Sequence, residues 1–404
     1  MQLGFFVFLK CGKIIEMEVI DVNSSETLFK DLCEKFFCDE FVISNLKYKP
    51  KNSSEKELCD LVLENPNSLI IFEIKERNYD EKKSEDNEKW LDRKVYDKAV
   101  KQIINAKNVL EEGIDYKFYN KYQQTVYFTK KVIYPVILFE NDSIDEYSKI
   151  KNDGDNIVNI FSLADFKVLI ENVRLPIELE YYLRLRPRLC DGEFQKVFFE
   201  NVFGESVFYD FNKSKSNENK ISEICELMFS NEKYDNDKVD GILNYIKKIR
   251  THKTTKNDYR PIMKELISLN RKNLCDIFDN VFDLGKKMCL NQIDSSDSDI
   301  YHISNEVVHC VCILKPNNYD ELCRKKNYFN HFQYKFKVNK MLITYISMDD
   351  NNNIHIDWDI YKIDKFDDES YYDDLKKIDP WKKNEDRFFA IFEKISRSSD
   401  NKEL

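Results

Sequence analysis

The sequence predicts an α/β fold, with a central mixed sheet flanked by helices and a C-terminal α+β region behind it. Three stretches carry that expectation. Residues Glu57–Lys75, ELCDLVLENPNSLIIFEIK, read as two strands, Glu57–Glu64 and Leu69–Lys75, around the turn residues Asn65-Pro66-Asn67-Ser68. From Lys89 to Glu112, Val95, Ala99, Ile103, Ala106 and Leu110 recur at helical spacing. Val132–Phe139 is a near-continuous apolar run, the pattern of a strand buried on both faces.

Taken in order, Leu3–Leu9 and Ile14–Val22 flank Lys10-Cys11-Gly12-Lys13, which suggests an opening hairpin. Ser24 or Ser25 caps a helix to about Cys38, with Leu28, Phe29, Leu32, Phe36 and Phe37 as its apolar positions and Glu26 in its first turn. Phe41–Tyr48 is a strand and Lys49–Lys56 a polar connection to the hairpin. Beyond it, Glu76–Glu88 is a charged loop. Thr125–Phe128 and Ile157–Phe161 add strands. Ser162 with Asp165 forms a capping box for a helix through Val173, and Pro176 opens another, Ile177–Leu185, that ends near the Pro187 and Gly192 breaks. Glu193–Tyr209 is aromatic-rich and Asn212–Asn219 is a polar linker, so one domain is expected over 1–190 and a second over 191–404. In the second, residues 220–290 read as helices, and Glu306–Leu314, Met341–Met348 and Ile354–Ile363 as strands. A last helix is expected near Glu385–Ser396.

At 404 residues the chain can bury a substantial core. Its net charge of −10 argues against a protein that coats nucleic acid indiscriminately, yet 34% charged residues leave room for a local basic surface. Lys247, Lys248, Arg250, His252, Lys253, Lys256 and Arg260 form such a cluster, which would neutralise phosphates or simply solvate a helix end. The 11 cysteines show neither a disulfide framework nor paired zinc spacing, and His302 and His309 fit no familiar metal pattern. The apolar run Leu3–Leu9 is a poor signal peptide and too short to span a membrane, so a cytoplasmic protein is expected.

The chemistry concentrates in the Glu57–Lys75 hairpin. Alternation puts Leu58, Asp60 and Val62 on one face of the first strand, and Leu69, Ile71, Glu73 and Lys75 on one face of the second. A four-residue loop pairing Glu64 with Leu69 sets Asp60 opposite Glu73, with Cβ atoms roughly 5 Å apart. Two anions so placed beside aliphatic rows require a cation. Lys75 supplies part of that charge and a divalent metal would supply more.

Asp60 followed after twelve residues by Glu73-Ile74-Lys75, in the element order helix, strand, strand, strand, helix, strand, resembles the PD-(D/E)XK nuclease superfamily, especially its Mrr-like members. The resemblance covers about residues 24–140. Cys59 stands where the family often has Pro. The likeness implies a restriction-endonuclease-like core holding Mg²⁺, or Mn²⁺ in its place, on Asp60, Glu73 and the Ile74 carbonyl. Lys75 would position or deprotonate the attacking water. Gln102, on the helix after the motif, would orient Lys75 or the water, and Glu26 is a further acidic candidate. The expected activity is cleavage of DNA, in restriction or antiphage defence by analogy alone. The C-terminal half would serve recognition, sensing or assembly, as a homo-oligomer or with a partner protein. Two alternatives remain open: a nuclease-like module that binds nucleic acid or a partner without cutting, and a nuclease directed at RNA.

Overall fold

The computed structural model describes residues 24–48, 56–78, 81–82, 85–112, 118–119, 125–126, 128, 131–141, 148–153, 156–189, 236–252, 259–290, 300–304, 307–313, 333, 339–348 and 354–362. The opening hairpin, the stretches Glu193–Tyr209 and Asn212–Asn219, the Gly192 break and the last helix lie outside them.

The protein is α/β. Helix α1 (Ser24–Phe36) is followed by β1 (Val42–Tyr48), β2 (Lys56–Glu64) and β3 (Ser68–Glu76). A long helix α2 follows in three continuous parts, Asn87–Trp90, Leu91–Ala99 and Val100–Glu111, the middle one wound as a π-helix. Then come β4 (Val132–Glu140), β5 (Ser148–Asp153), β6 (Asn156–Ser162), α3 (Leu163–Asn172) and α4 (Pro176–Leu189). The strand order is β1-β2-β3-β4-β6-β5, with β3, β4 and β6 mutually parallel and the other neighbours antiparallel. The chain continues through α5 (Asn236–His252), α6 (Tyr259–Ile267) and α7 (Arg271–Cys289). Strands β7 (Ile300–Ser304), β8 (Val307–Ile313), β9 (Lys340–Met348) and β10 (Ile354–Lys362) form a second sheet in the order β10-β9-β8-β7. No helix among the described residues is long and apolar enough to cross a membrane.

One face of the first sheet is covered by α1, α3 and α4 and the other by α2. Phe29 of α1 packs on Phe72 (4.9 Å between ring centroids) and Phe166 (5.5 Å), fixing α1 across β3. The buried face of α1 is Ser25, Phe29 and Cys33, a row at i, i+4 spacing that Phe37, just past the helix end, continues. Leu28, expected inside, is 55% exposed, because that row leaves it a quarter-turn off the sheet. Val95, Ala99, Ile103 and Ala106 of α2 are buried as their spacing predicts, with Leu110 partly buried. Val136, Ile137, Leu138 and Phe139 of β4 are fully buried on both faces. Ser162 caps α3 through a hydrogen bond from the Asp165 amide, 3.0 Å. Helix α4 does not break at Pro187 but runs on to Leu189. Pro187 removes one helical hydrogen bond near an end, where the loss is smallest. Arg186 anchors that turn, donating to Asn159 (2.9 Å) with its guanidinium 4.1 Å over the Phe161 ring.

The two halves share a core. Cys38, Phe41 and Leu175 lie in the same apolar cluster as α5, α6, α7 and the second sheet. Two buried carboxylates lock the contact. Glu178 takes Arg271 through a fork of 2.8 and 2.9 Å. Glu64, at the turn end of β2, takes Arg260, Lys264 (3.1 Å) and Lys131 (2.9 Å). Burial alone would raise the Glu64 carboxyl, but Arg260, Lys131 and Lys264 outweigh it and hold the group below its ordinary value. Removing one partner of such a group leaves buried charge uncompensated, at a cost of about 3–5 kcal/mol. Glu64→Ala is therefore expected to lose that much stability in urea unfolding; a loss within about 1 kcal/mol, typical of an exposed pair, would show that the contact is superficial.

Candidate active site

The hairpin folds in the register the turn length dictates, with Glu64↔Leu69, Leu63↔Ile70, Val62↔Ile71 and Leu61↔Phe72. One residue further the pattern changes. Asp60 does not stand on the α2 face above Leu58 and Val62, as strict alternation required. Its carboxylate Oδ2 accepts a hydrogen bond from the Ile74 backbone N–H at 2.5 Å, in the place where a strand carbonyl would normally serve. Asp60 opens into a small cavity of about 130 Å³ on the α1 side, which it shares with Glu26, Lys30 and Asn45.

Glu73 is buried and its carboxylate accepts from the Lys75 ammonium at 2.5 Å. The side chain of Lys75 is 18% exposed, so the ammonium is reachable while Glu73 is not. Asp60 and Glu73 lie near enough to oppose one another's charge. Burial, reinforced by Glu73 and to a smaller extent by Glu26, pushes the Asp60 carboxyl up to about 8, while the Ile74 N–H and Lys75 pull the other way. Glu73 is also raised, first by burial, with Lys75 opposing.

Glu26 is carried there by α1, whose start is tied to the sheet. The Ser25 amide donates to Glu76 (3.3 Å), and its hydroxyl meets the carboxylates of both Glu76 (2.9 Å) and Glu140, at the ends of β3 and β4. The structure thus sets Asp60, Ile74 and Glu26 on one cavity, while Glu73 and Lys75, paired with each other, lie outside its lining but close enough to act on the Asp60 charge.

It does not bring Gln102 to them. Gln102 is exposed on α2. Lys75 is level with Phe139, and Phe139 packs against Trp90, 6.1 Å between rings, near the start of the same helix. Gln102 lies twelve residues farther on, on the order of 15 Å along the axis. The end of α2 nearest the motif is instead held by Glu81, which accepts from Trp90 Nε1 (2.9 Å) and pairs with Lys94 and Arg93.

Of the basic cluster, Lys247 donates to the carbonyls of Glu34 and Lys35, 3.0 Å each, and so caps the end of α1. Arg260 is spent on Glu64. Lys248 is exposed; the side chain of Arg250 and all of Lys253 are outside the described residues.

The donor set has the chemistry of a hard-cation site: two carboxylates and a nearby backbone carbonyl, oxygen throughout, in a place that disfavours uncompensated negative charge. Among the described residues no group of three or more His, Cys, Asp or Glu side chains is spaced to enclose a metal. Mg²⁺ takes one or two protein carboxylates and completes its shell with water and phosphate. No family model, curated protein or solved structure matches the chain.

The raised Asp60 predicts a pH signature of the metal-free protein. Unfolded, Asp60 ionises near its ordinary value of 3.8; folded, it holds its proton to about 8. Its contribution to stability is complete below the lower value and is lost as pH rises through the upper one. Asp60→Asn keeps an acceptor for the Ile74 N–H and removes the titration. In EDTA its Tm is expected to exceed that of the wild type at pH 8.5, by a margin that shrinks towards pH 5. Parallel Tm curves across that range would contradict the assignment.

Proposed function

We propose that the protein is a metal-dependent endonuclease hydrolysing DNA phosphodiester bonds on a restriction-endonuclease-like core. The observation that supports the reading is the closeness of Asp60 and Glu73 at the far end of one hairpin, near enough to raise the Asp60 carboxyl, with the Lys75 ammonium held 2.5 Å from Glu73. A role in restriction or antiphage defence follows only by analogy with nucleases of that fold.

Asp60, Glu73 and the Ile74 carbonyl would hold Mg²⁺ or Mn²⁺. When bound, the cation supplies charge neutralisation for the developing phosphorane-like negative charge and acidifies water. Lys75 as the ammonium orients the attacking water, or, once it has released its own proton to solvent, takes up the water's proton. In either case it is positively charged beside the phosphate as the water oxygen bonds to phosphorus, the P–O bond to the leaving sugar oxygen breaks and that oxygen takes a proton from solvent. Glu26, on the opposite wall of the Asp60 cavity, adds negative charge that strengthens the demand for a cation.

A second reading has an observation in its favour. Asp60 is already bonded to the Ile74 N–H and Glu73 to Lys75, so each carboxylate has a partner from the chain itself. A module that grips nucleic acid or a partner protein without cutting it needs nothing more. Two variants separate the readings. Lys75→Ala is expected to keep or tighten Mn²⁺ binding in calorimetry, because Asp60 and Glu73 lose a neighbouring positive charge, while plasmid nicking falls by orders of magnitude. Asp60→Ala is expected to lose both together. Nicking by Lys75→Ala at the wild-type rate would reduce Lys75 to a structural counter-ion, and a wild-type protein that neither binds Mn²⁺ nor cuts would favour the non-cleaving module.

A further inference from the structure

Among the described residues one non-glycine residue has a positive φ: Asn45, at 53°, in the middle of β1. The left-handed region strains most L-residues and is tolerated by Asn, Asp and Gly. A non-glycine residue held there inside a strand is a candidate functional feature.

Its position is informative. The β1–β2 ladder pairs Ser44 with Leu61 and Leu46 with Cys59, so Asn45 stands across from Asp60. Both strands change face at that point. Val42, Leu61 and Leu63 belong to the core under α1, and Ile43 and Val62 to the core under α2, as alternation requires. Continued alternation would send Leu46 and Cys59 to the α1 side. Both lie instead in the core under α2. Both strands leave alternation together at Asn45 and Asp60; one residue farther on a bulge shifts the pairing between Leu46 and Lys47, so that Leu58 and Cys59 both face the α2 core. The departure frees Asp60 from the α2 face, lets its carboxylate reach the Ile74 N–H, and leaves it on the cavity shared with Asn45 and Glu26.

We infer that Asn45 is a positioning residue: its left-handed backbone turns β1 and β2 together and so aims the Asp60 carboxylate at the Ile74 amide of neighbouring β3. The bearing of this on metal binding rests on the nuclease reading; the geometry itself does not.

Residue-resolved amide hydrogen exchange of the full chain in EDTA tests the geometry. Asn45→Val, a β-branched residue that resists positive φ, is expected to make the Ile74 amide exchange about tenfold faster, as loss of one hydrogen bond to a carboxylate would. Asp60→Ala should match it, with Phe72 as protected as in the wild type. Asn45→Gly, free to keep the left-handed backbone, should retain the wild-type protection at Ile74. If Asn45→Val does not fold, Asn45→Ala carries the same comparison with a smaller side chain. Wild-type protection at Ile74 in the folded Val or Ala variant would overturn the inference, as would Asn45→Gly losing protection as fully as they do. A parallel Mn²⁺ titration is expected to show weaker binding in Asn45→Val or Asn45→Ala and rescue in Asn45→Gly. If the wild type binds no Mn²⁺, the nuclease reading fails, while the exchange of Ile74 still decides the role of Asn45.

Discussion

A carboxylate takes the place of a strand at the Ile74 amide, and the candidate site depends on that substitution. The β2–β3 ladder is paired down to Leu61 and Phe72, and then the Asp60 side chain accepts the next inward-pointing N–H. An amide left without an acceptor there would cost free energy comparable to a lost hydrogen bond. Asp60 removes that cost and gains a hydrogen bond from the chain, but it brings a negative charge beside buried Glu73. Lys75 pairs directly with Glu73 and offsets the Asp60 charge only weakly. The remaining imbalance is what a hard cation would relieve; with burial, the larger cause, it makes Asp60 hold its proton well above the ordinary carboxylate range.

The same hairpin is held at its other end by a different balance of charge. Glu64, four residues from Asp60 on β2, is buried among three cations, two of them from α6. The strand that carries the candidate metal ligand is therefore clamped by the C-terminal half of the chain. Glu178 with Arg271, and the carbonyls of Glu34 and Lys35 with Lys247, add further ties between the halves. The sequence suggests a boundary near residue 190, and α5–α7 nevertheless complete the packing around Phe41 and Leu175. Basic residues that read as a phosphate-binding cluster are in part this internal clamp.

Much of the first sheet was legible because local signals there agree with the tertiary arrangement. The turn Asn65–Ser68 fixed the Glu64–Leu69 register, the stripe from Val95 to Ala106 fixed the face of α2, and the run Val132–Phe139 announced a central strand. Strand β5, SKIKND, escaped notice because it is an outer strand of the sheet and carries an edge strand's polar composition. The buried face of α1 was ambiguous, since Leu28 and Phe29 are adjacent and only the contact with Phe72 and Phe166 decides between them. The departure of Asp60 from its face depends on the φ of Asn45, fifteen residues away, and a single Asn in a strand gives no readable sign of it. Gln102 was placed by analogy, and its distance from the motif follows from how α2 lies across the sheet. The sequence spacing singles out Asp60, Glu73 and Lys75, but the turn of Asp60 towards the Ile74 amide was not legible in it.

The central claim is that Asp60 and Glu73 form one cation site on the hairpin. Anomalous diffraction from crystals soaked in Mn²⁺, with a matched soak of Asp60→Ala, tests it most directly. A peak in contact with the Asp60 and Glu73 carboxylates, absent from the variant, is the result expected. No peak there in the wild type under conditions that populate Mn²⁺ elsewhere, or a peak that survives Asp60→Ala unchanged, would contradict it.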